Sequence, residues 1–95
     1  MADLEGLGKR LKQLREQKDM SMDMVVYAMK DRYDIEISKG HISRWENGKN
    51  YPSLHLAAYL SAFYDVSLDY LIGNTDVKTP TKILTKERRK KDGKS

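Results

Sequence analysis

The sequence predicts an all-α fold: a compact five-helix domain over residues 1–73, followed by a basic tail over residues 74–95. Three observations carry that prediction. Leu4, Leu7, Leu11 and Leu14 recur at spacings of three, four and three, the period of one helical face. Ser21, Ser38, Ser53 and Ser67 each stand immediately ahead of a segment with helical apolar spacing, where a hydroxyl can accept from an orphan backbone N–H. Asn47-Gly48 and Gly73 supply stops, because glycine enters the left-handed conformation that closes a helix without a steric clash.

The first helix buries its leucine stripe and is expected to expose Lys9, Arg10, Lys12 and Gln13, ending near Asp19. Ser21 opens a second helix with Asp23 in its first turn, where a carboxylate complements the helix dipole. Val25, Val26 and Met29 form its inward face, and Tyr33, four residues beyond Met29, extends it by a further turn. Ile35 and Ile37 then alternate with Asp34 and Glu36, the period of a short extended segment, and Ile37 is placed to plug the core ahead of Ser38.

The third helix, about residues 38–47, carries Ile42 and Trp45 three apart on one face. Lys39, Gly40, His41, Ser43 and Arg44 fall on the other faces. Trp45 reads as a core residue, one turn after Ile42. After Tyr51-Pro52, Ser53 opens a fourth helix with Leu56, Ala57, Leu60 and Tyr64 inward and Asp65 closing it. Ser67 caps a short fifth helix that turns Leu68 and Leu71 inward.

Composition narrows the function. Ninety-five residues make one small domain. With no cysteine, disulfides and thiolate zinc sites are excluded, which suits a reducing cytosol. No apolar run approaches the ~20 residues that span a bilayer, and no basic segment followed by an apolar stretch opens the chain, so a soluble cytoplasmic protein with no membrane role is expected. No nucleophile, base and orienting group cluster, and no phosphate-binding glycine loop is present, so an enzyme is not expected. His41 and His55 lack a third ligand at metal-site spacing, and neither a metal nor another cofactor is expected.

The net charge of +4 divides unevenly. Residues 1–73 hold ten Lys/Arg against eleven Asp/Glu, whereas residues 74–95 hold eight against three. A nucleic-acid partner of the helical part must therefore be met by a local basic face, one that includes Lys39, Arg44 and Lys49. The tail, polar and cationic through Lys86-Glu87-Arg88-Arg89-Lys90-Lys91, reads as a flexible arm, a linker to a further domain, or a solubilising end.

Several spaced motifs then agree in order. Gly8-Lys9-Arg10-Leu11-Lys12-Gln13-Leu14-Arg15, Met20-Ser21-Met22, the run Ile42-Ser43-Arg44-Trp45-Glu46-Asn47-Gly48-Lys49 followed by Tyr51-Pro52-Ser53, and Val66-Ser67-Leu68-Asp69-Tyr70-Leu71-Ile72-Gly73 resemble the Cro-like and lambda-repressor-like helix-turn-helix regulators, over roughly three quarters of the chain. The resemblance implies a sequence-specific regulator of transcription, most simply a repressor, that reads the major groove of double-stranded DNA with the third helix. The sequence departs from the family by about six extra residues between helices two and three. That insert reads as a spacer, the alternative being a contact of Lys30 and Arg32 with DNA backbone or a partner.

Carried over residue by residue, the resemblance places Lys39, Gly40, His41 and Arg44 against base edges. It places Ser21, Met22, Ser38, Ser43, Asn47, Lys49 and Asn50 against phosphates. Met22 stands where the family often has Gln, so its contribution would have to be a backbone N–H. Glu46 takes the position that pairs with a basic residue of the first helix, here Arg15, as a structural pair. One reading helix covers only a few base pairs, so a homodimer on a pseudo-palindromic operator is implied, with Tyr70 and Ile72 as candidate dimer contacts. The rival reading is a protein-interaction module on the same fold, such as an antitoxin, using Tyr51, Tyr59, Phe63 or Tyr70 to hold a partner.

Overall fold

Five helices account for residues 4–78, the part of the chain described by the computed structural model: α1 (Leu4–Gln17), α2 (Met22–Tyr33), α3 (Lys39–Glu46), α4 (Leu54–Phe63) and α5 (Leu68–Leu71). No strand occurs among the described residues. The side chain of Leu4 and the tail from residue 79 onward, on which part of the leucine stripe and the basic arm were expected, lie outside them.

All four predicted serine caps form. The side chains of Ser21, Ser38 and Ser53 accept from the backbone N–H of Met24, His41 and Leu56 at 3.1 Å, and that of Ser67 accepts from Tyr70 at 2.9 Å. Each such cap contributes about 1 kcal/mol. The helix exits share one device as well. A residue with positive φ follows each helix, and the next N–H turns back to a carbonyl five positions earlier at four of the exits: Met20 to Arg15, Lys49 to Arg44, Val66 to Ser61 and Asn74 to Asp69. At the end of α2 the Ile35 N–H reaches six positions back, to Met29. Glycine supplies the positive φ at Gly48 and Gly73, but Asp19, Asp34 and Asp65 do so elsewhere, at φ of 56°, 57° and 60°. Aspartate is among the few side-chain-bearing residues that visit this region. Asn47 itself, expected to share the left-handed stop, sits at φ −96°, and Gly48 alone makes the turn.

The core draws on every helix. Leu7, Leu11 and Leu14 of α1 meet Val25 and Met29 of α2, Ile42 and Trp45 of α3, Ala57, Leu60 and Phe63 of α4, and Leu71 of α5. Ile37 plugs it from the α2–α3 connection, as the alternation around it predicts. Two expectations need correction. Arg10 is half-buried rather than exposed, because its Nε donates to the Leu71 carbonyl at 2.9 Å, one of the carbonyls that the end of α5 leaves without a helical donor. Phe63 is buried, 5% exposed, and so belongs to the core rather than to a partner-binding face.

Gly8 fixes the distance between α1 and α3. A Cβ there would stand 2.3 Å from the Trp45 carbonyl oxygen and 2.9 Å from that of Glu46, so only glycine lets the two backbones touch. The extra turn of α2 packs rather than projecting. Tyr33 meets the Tyr59 ring at 5.1 Å, the Arg32 guanidinium lies 5.4 Å from the Phe63 ring, and Lys30 pairs with Asp34 at 2.8 Å and Glu36 at 3.3 Å. The inserted segment thereby ties α2 to α4, and both of its cations, though exposed, have partners within the same segment or on α4. Beyond Gly73 the chain turns back to α5, where the Ser67 N–H donates to the Lys78 carbonyl at 2.9 Å.

Candidate nucleic-acid interface

Helix α3 is gripped from behind. Ile42 and Trp45, each 4% exposed, anchor its inward face in the core. Its last residue, Glu46, is held by Arg15 of α1 through two parallel bonds, Nε to Oε2 at 2.7 Å and Nη2 to Oε1 at 2.9 Å. Nη1 of the same guanidinium donates to the Met20 carbonyl at 2.9 Å, in the turn that leads into α2. One arginine thus ties the end of α3 to the start of α2. Hydrogen bonding to Glu46 raises the Arg15 pKa above its ordinary value, with burial opposing.

The opposite side of α3 is open. Lys39, His41, Arg44, Asn47, Lys49 and Asn50 are exposed, and Gly40 and Ser43 are half-exposed. Arg44 folds back along the helix: a Cβ on Gly40 would lie 3.3 Å from its Nη1, so the bare glycine leaves the guanidinium room to lie flat. The Asn47 side chain donates from Nδ2 to the Ser43 carbonyl at 2.8 Å, a second bond to an oxygen that already accepts from the Asn47 backbone N–H at 3.0 Å. Lys39, Gly40, His41, Ser43 and Arg44 therefore share one surface, continued past the helix by Lys49 and Asn50.

At the start of α2, the Ser21 hydroxyl is committed to its cap and Met22 rests partly buried against the core. The Ser21 backbone N–H is bonded in turn to Met24 Sδ at 3.5 Å, which closes the capping box. Tyr70 and Ile72 are half-buried, and the Lys78 ammonium lies 5.7 Å from the Tyr70 ring. Of the aromatic residues considered for a partner, Tyr51 is exposed and Tyr59 half-buried. The hollow of about 390 Å³ near Leu14, Lys18, Tyr64 and Lys78 shares no residue with α3.

Three features of the site escaped the sequence reading. Gly8 interrupts the α1 pattern, and a glycine inside a helix is a signal of close backbone approach. The ring contact between His41 and Trp45, stacked at 5.9 Å with planes 17° apart, has the signal of i,i+4 spacing on one helix, whereas the Arg10 bond to Leu71 leaves no local trace.

A reading helix clamped against two others, with a second helix presenting its N-terminus alongside, defines a helix-turn-helix DNA-binding domain. The helix-turn-helix family pattern matches residues 11–71, and the chain belongs to that family, among the Cro-like and lambda-repressor-like transcription regulators. It is similar to the HTH-type transcriptional activator BcrR of Enterococcus faecalis, with 28% identity over 71 residues, 75% of this chain and 32% of the relative. The chain thus spans about a third of that relative's length. No solved structure matches it. No helix among the described residues is long and apolar enough to cross a membrane.

Proposed function

We propose that this domain is a sequence-specific, double-stranded-DNA-binding transcriptional regulator that represses by occupying its operator, with α3 laid in the major groove. One observation carries the reading: the inward face of α3 is locked by Ile42, Trp45 and the Arg15–Glu46 pair, while Lys39, Gly40 and Arg44 stand together on its open side. Arg44 is the principal reader, since its planar fork can donate twice to guanine O6 and N7. Lys39 makes a less directional contact of the same kind, and Gly40 admits the groove wall closely.

Ser21, Met22 and Ser38 lie against phosphates at two helix starts, where the N–H groups of the first turns donate, and Ser43, Asn47, Lys49 and Asn50 extend that line. Two copies on an inverted repeat, meeting near Tyr70 and Ile72, would supply the information that one helix lacks. Residues 79–95 add nonspecific phosphate affinity. Activation is the second reading, favoured by the name of the Enterococcus relative.

Selection of binding sites from a random duplex pool at near-physiological salt tests the proposal. Recovery of an inverted repeat supports specific dimeric binding, and repeating the selection with Arg44→Ala identifies the base that Arg44 reads. A folded protein that selects no motif refutes it in favour of the partner-binding module. Placing the recovered site upstream of or across a promoter, and measuring transcript, separates activation from repression.

A further inference from the structure

His41 does two things at once in the first turn of α3. Its backbone N–H donates to the Ser38 hydroxyl at 3.1 Å, and its ring Nδ1 sits 3.0 Å from the Ser38 backbone nitrogen. The pair forms a reciprocal capping box with histidine in the place usually held by Glu or Gln. A backbone N–H can only donate, so Nδ1 presents its lone pair to it, and the Ser38 hydroxyl, 3.1 Å away, is placed to donate to the same nitrogen. A neutral imidazole has one ring proton, which is therefore on Nε2. The ring is bonded to Ser38 along one edge and lies nearly parallel to the buried Trp45 ring. Nε2–H has no acceptor among the described residues, and the side chain is exposed beside Lys39 and Gly40.

We infer that His41 is a specificity-determining residue of fixed polarity: its cap to Ser38 makes it a hydrogen-bond donor toward DNA. This rests on the groove-reading role of α3 proposed above. A donor at this place donates to guanine O6 or N7, adenine N7 or thymine O4, and is mismatched with the amino group of cytosine, itself a donor. Phosphate oxygens share the acceptor chemistry, and the test below separates a base contact, read at purine N7, from a phosphate contact.

The test has two parts. In the free protein, long-range ¹⁵N–¹H spectra in alkaline buffer are expected to show the proton on Nε2; a proton on Nδ1 overturns the inference. On a selected operator, 7-deazapurines replace each purine in turn, and methylphosphonates each phosphate. Wild-type protein is expected to lose about tenfold in affinity at one 7-deazapurine. His41→Gln, whose amide oxygen can cap Ser38 while its N–H donates, is expected to keep that dependence and the stability of the fold. His41→Leu is expected to bind the normal and substituted sites alike. A dependence on one methylphosphonate instead refutes base reading, and an undiminished 7-deazapurine effect in His41→Leu overturns the inference while leaving the reading of α3 intact. No binding to any duplex, with the Nε2 proton in place, refutes both.

Discussion

The guanidinium of Arg15 grips the carboxylate of Glu46 edge to edge, and the contact is largely dry: the two side chains are 12% and 3% exposed. Both oxygens of Glu46 are used, and the third donor direction of Arg15 is taken by the Met20 carbonyl. Removing either partner leaves a charge with few alternatives. Glu46→Ala is expected to destabilise the domain by about 3 kcal/mol, read from urea unfolding, and Glu46→Gln by less because one acceptor survives. A loss below about 1 kcal/mol would put the pair on a level with an ordinary surface ion pair.

Gly8 reverses the usual rule for helices. Alanine normally stabilises a helix interior by up to about 1 kcal/mol relative to glycine. Here the added methyl would meet backbone at 2.3 Å, and backbone cannot step aside as a side chain can. Gly8→Ala is expected to cost about 1–3 kcal/mol net by calorimetry, and to weaken DNA binding by shifting α3. A higher melting temperature would show that α1 and α3 have room to spare.

Gly40 differs, because the atom in the way is the far end of Arg44. Gly40→Ala is expected to raise stability by up to about 1 kcal/mol while relaxing the base preference set by Arg44. Unfolding and site selection on the same variant check the two halves; unchanged selection would mean that Arg44 reads from another pose.

Tyr64 gives the fold an alkaline limit. Burial, and secondarily the charge of Glu46, push its phenol well above the ordinary value near 10. Above about pH 10 the unfolded chain loses this proton while the folded one keeps it, so stability is full below that value and falls as pH rises, by at most about 1.4 kcal/mol per unit. Tyr64→Phe is expected to flatten the decline in urea midpoints between about pH 10 and 12. An identical slope in the variant would assign the decline to other groups.

Much of the fold was legible because its signals are local. Ser21, Ser38, Ser53 and Ser67 act within three residues of their own positions, and Ile37 and Trp45 declare themselves by period. Arg15 with Glu46 came from the resemblance, since nothing in either neighbourhood names the other. Arg10 with Leu71 and Tyr33 with Tyr59 were not legible, as those partners are 61 and 26 residues apart and meet only when the helices pack. His41 was readable as a polar residue of α3 but not as a cap, because histidine rarely fills the Glu/Gln position of a capping box.

The bond from Arg10 to Leu71 also has a place in time. It closes a loop of 61 residues, whereas Arg15 and Glu46 close one of 31, and chain-closure entropy grows with that span. Helix α5 is four residues long and stands at the end of the longer loop, so it is expected to dock last in folding and to release first in native-state opening. Amide exchange at Leu71 and Ile72 would then outrun exchange at Trp45. The surface that two copies would share is the loosest part of the domain, and the surface that would read DNA is among the firmest.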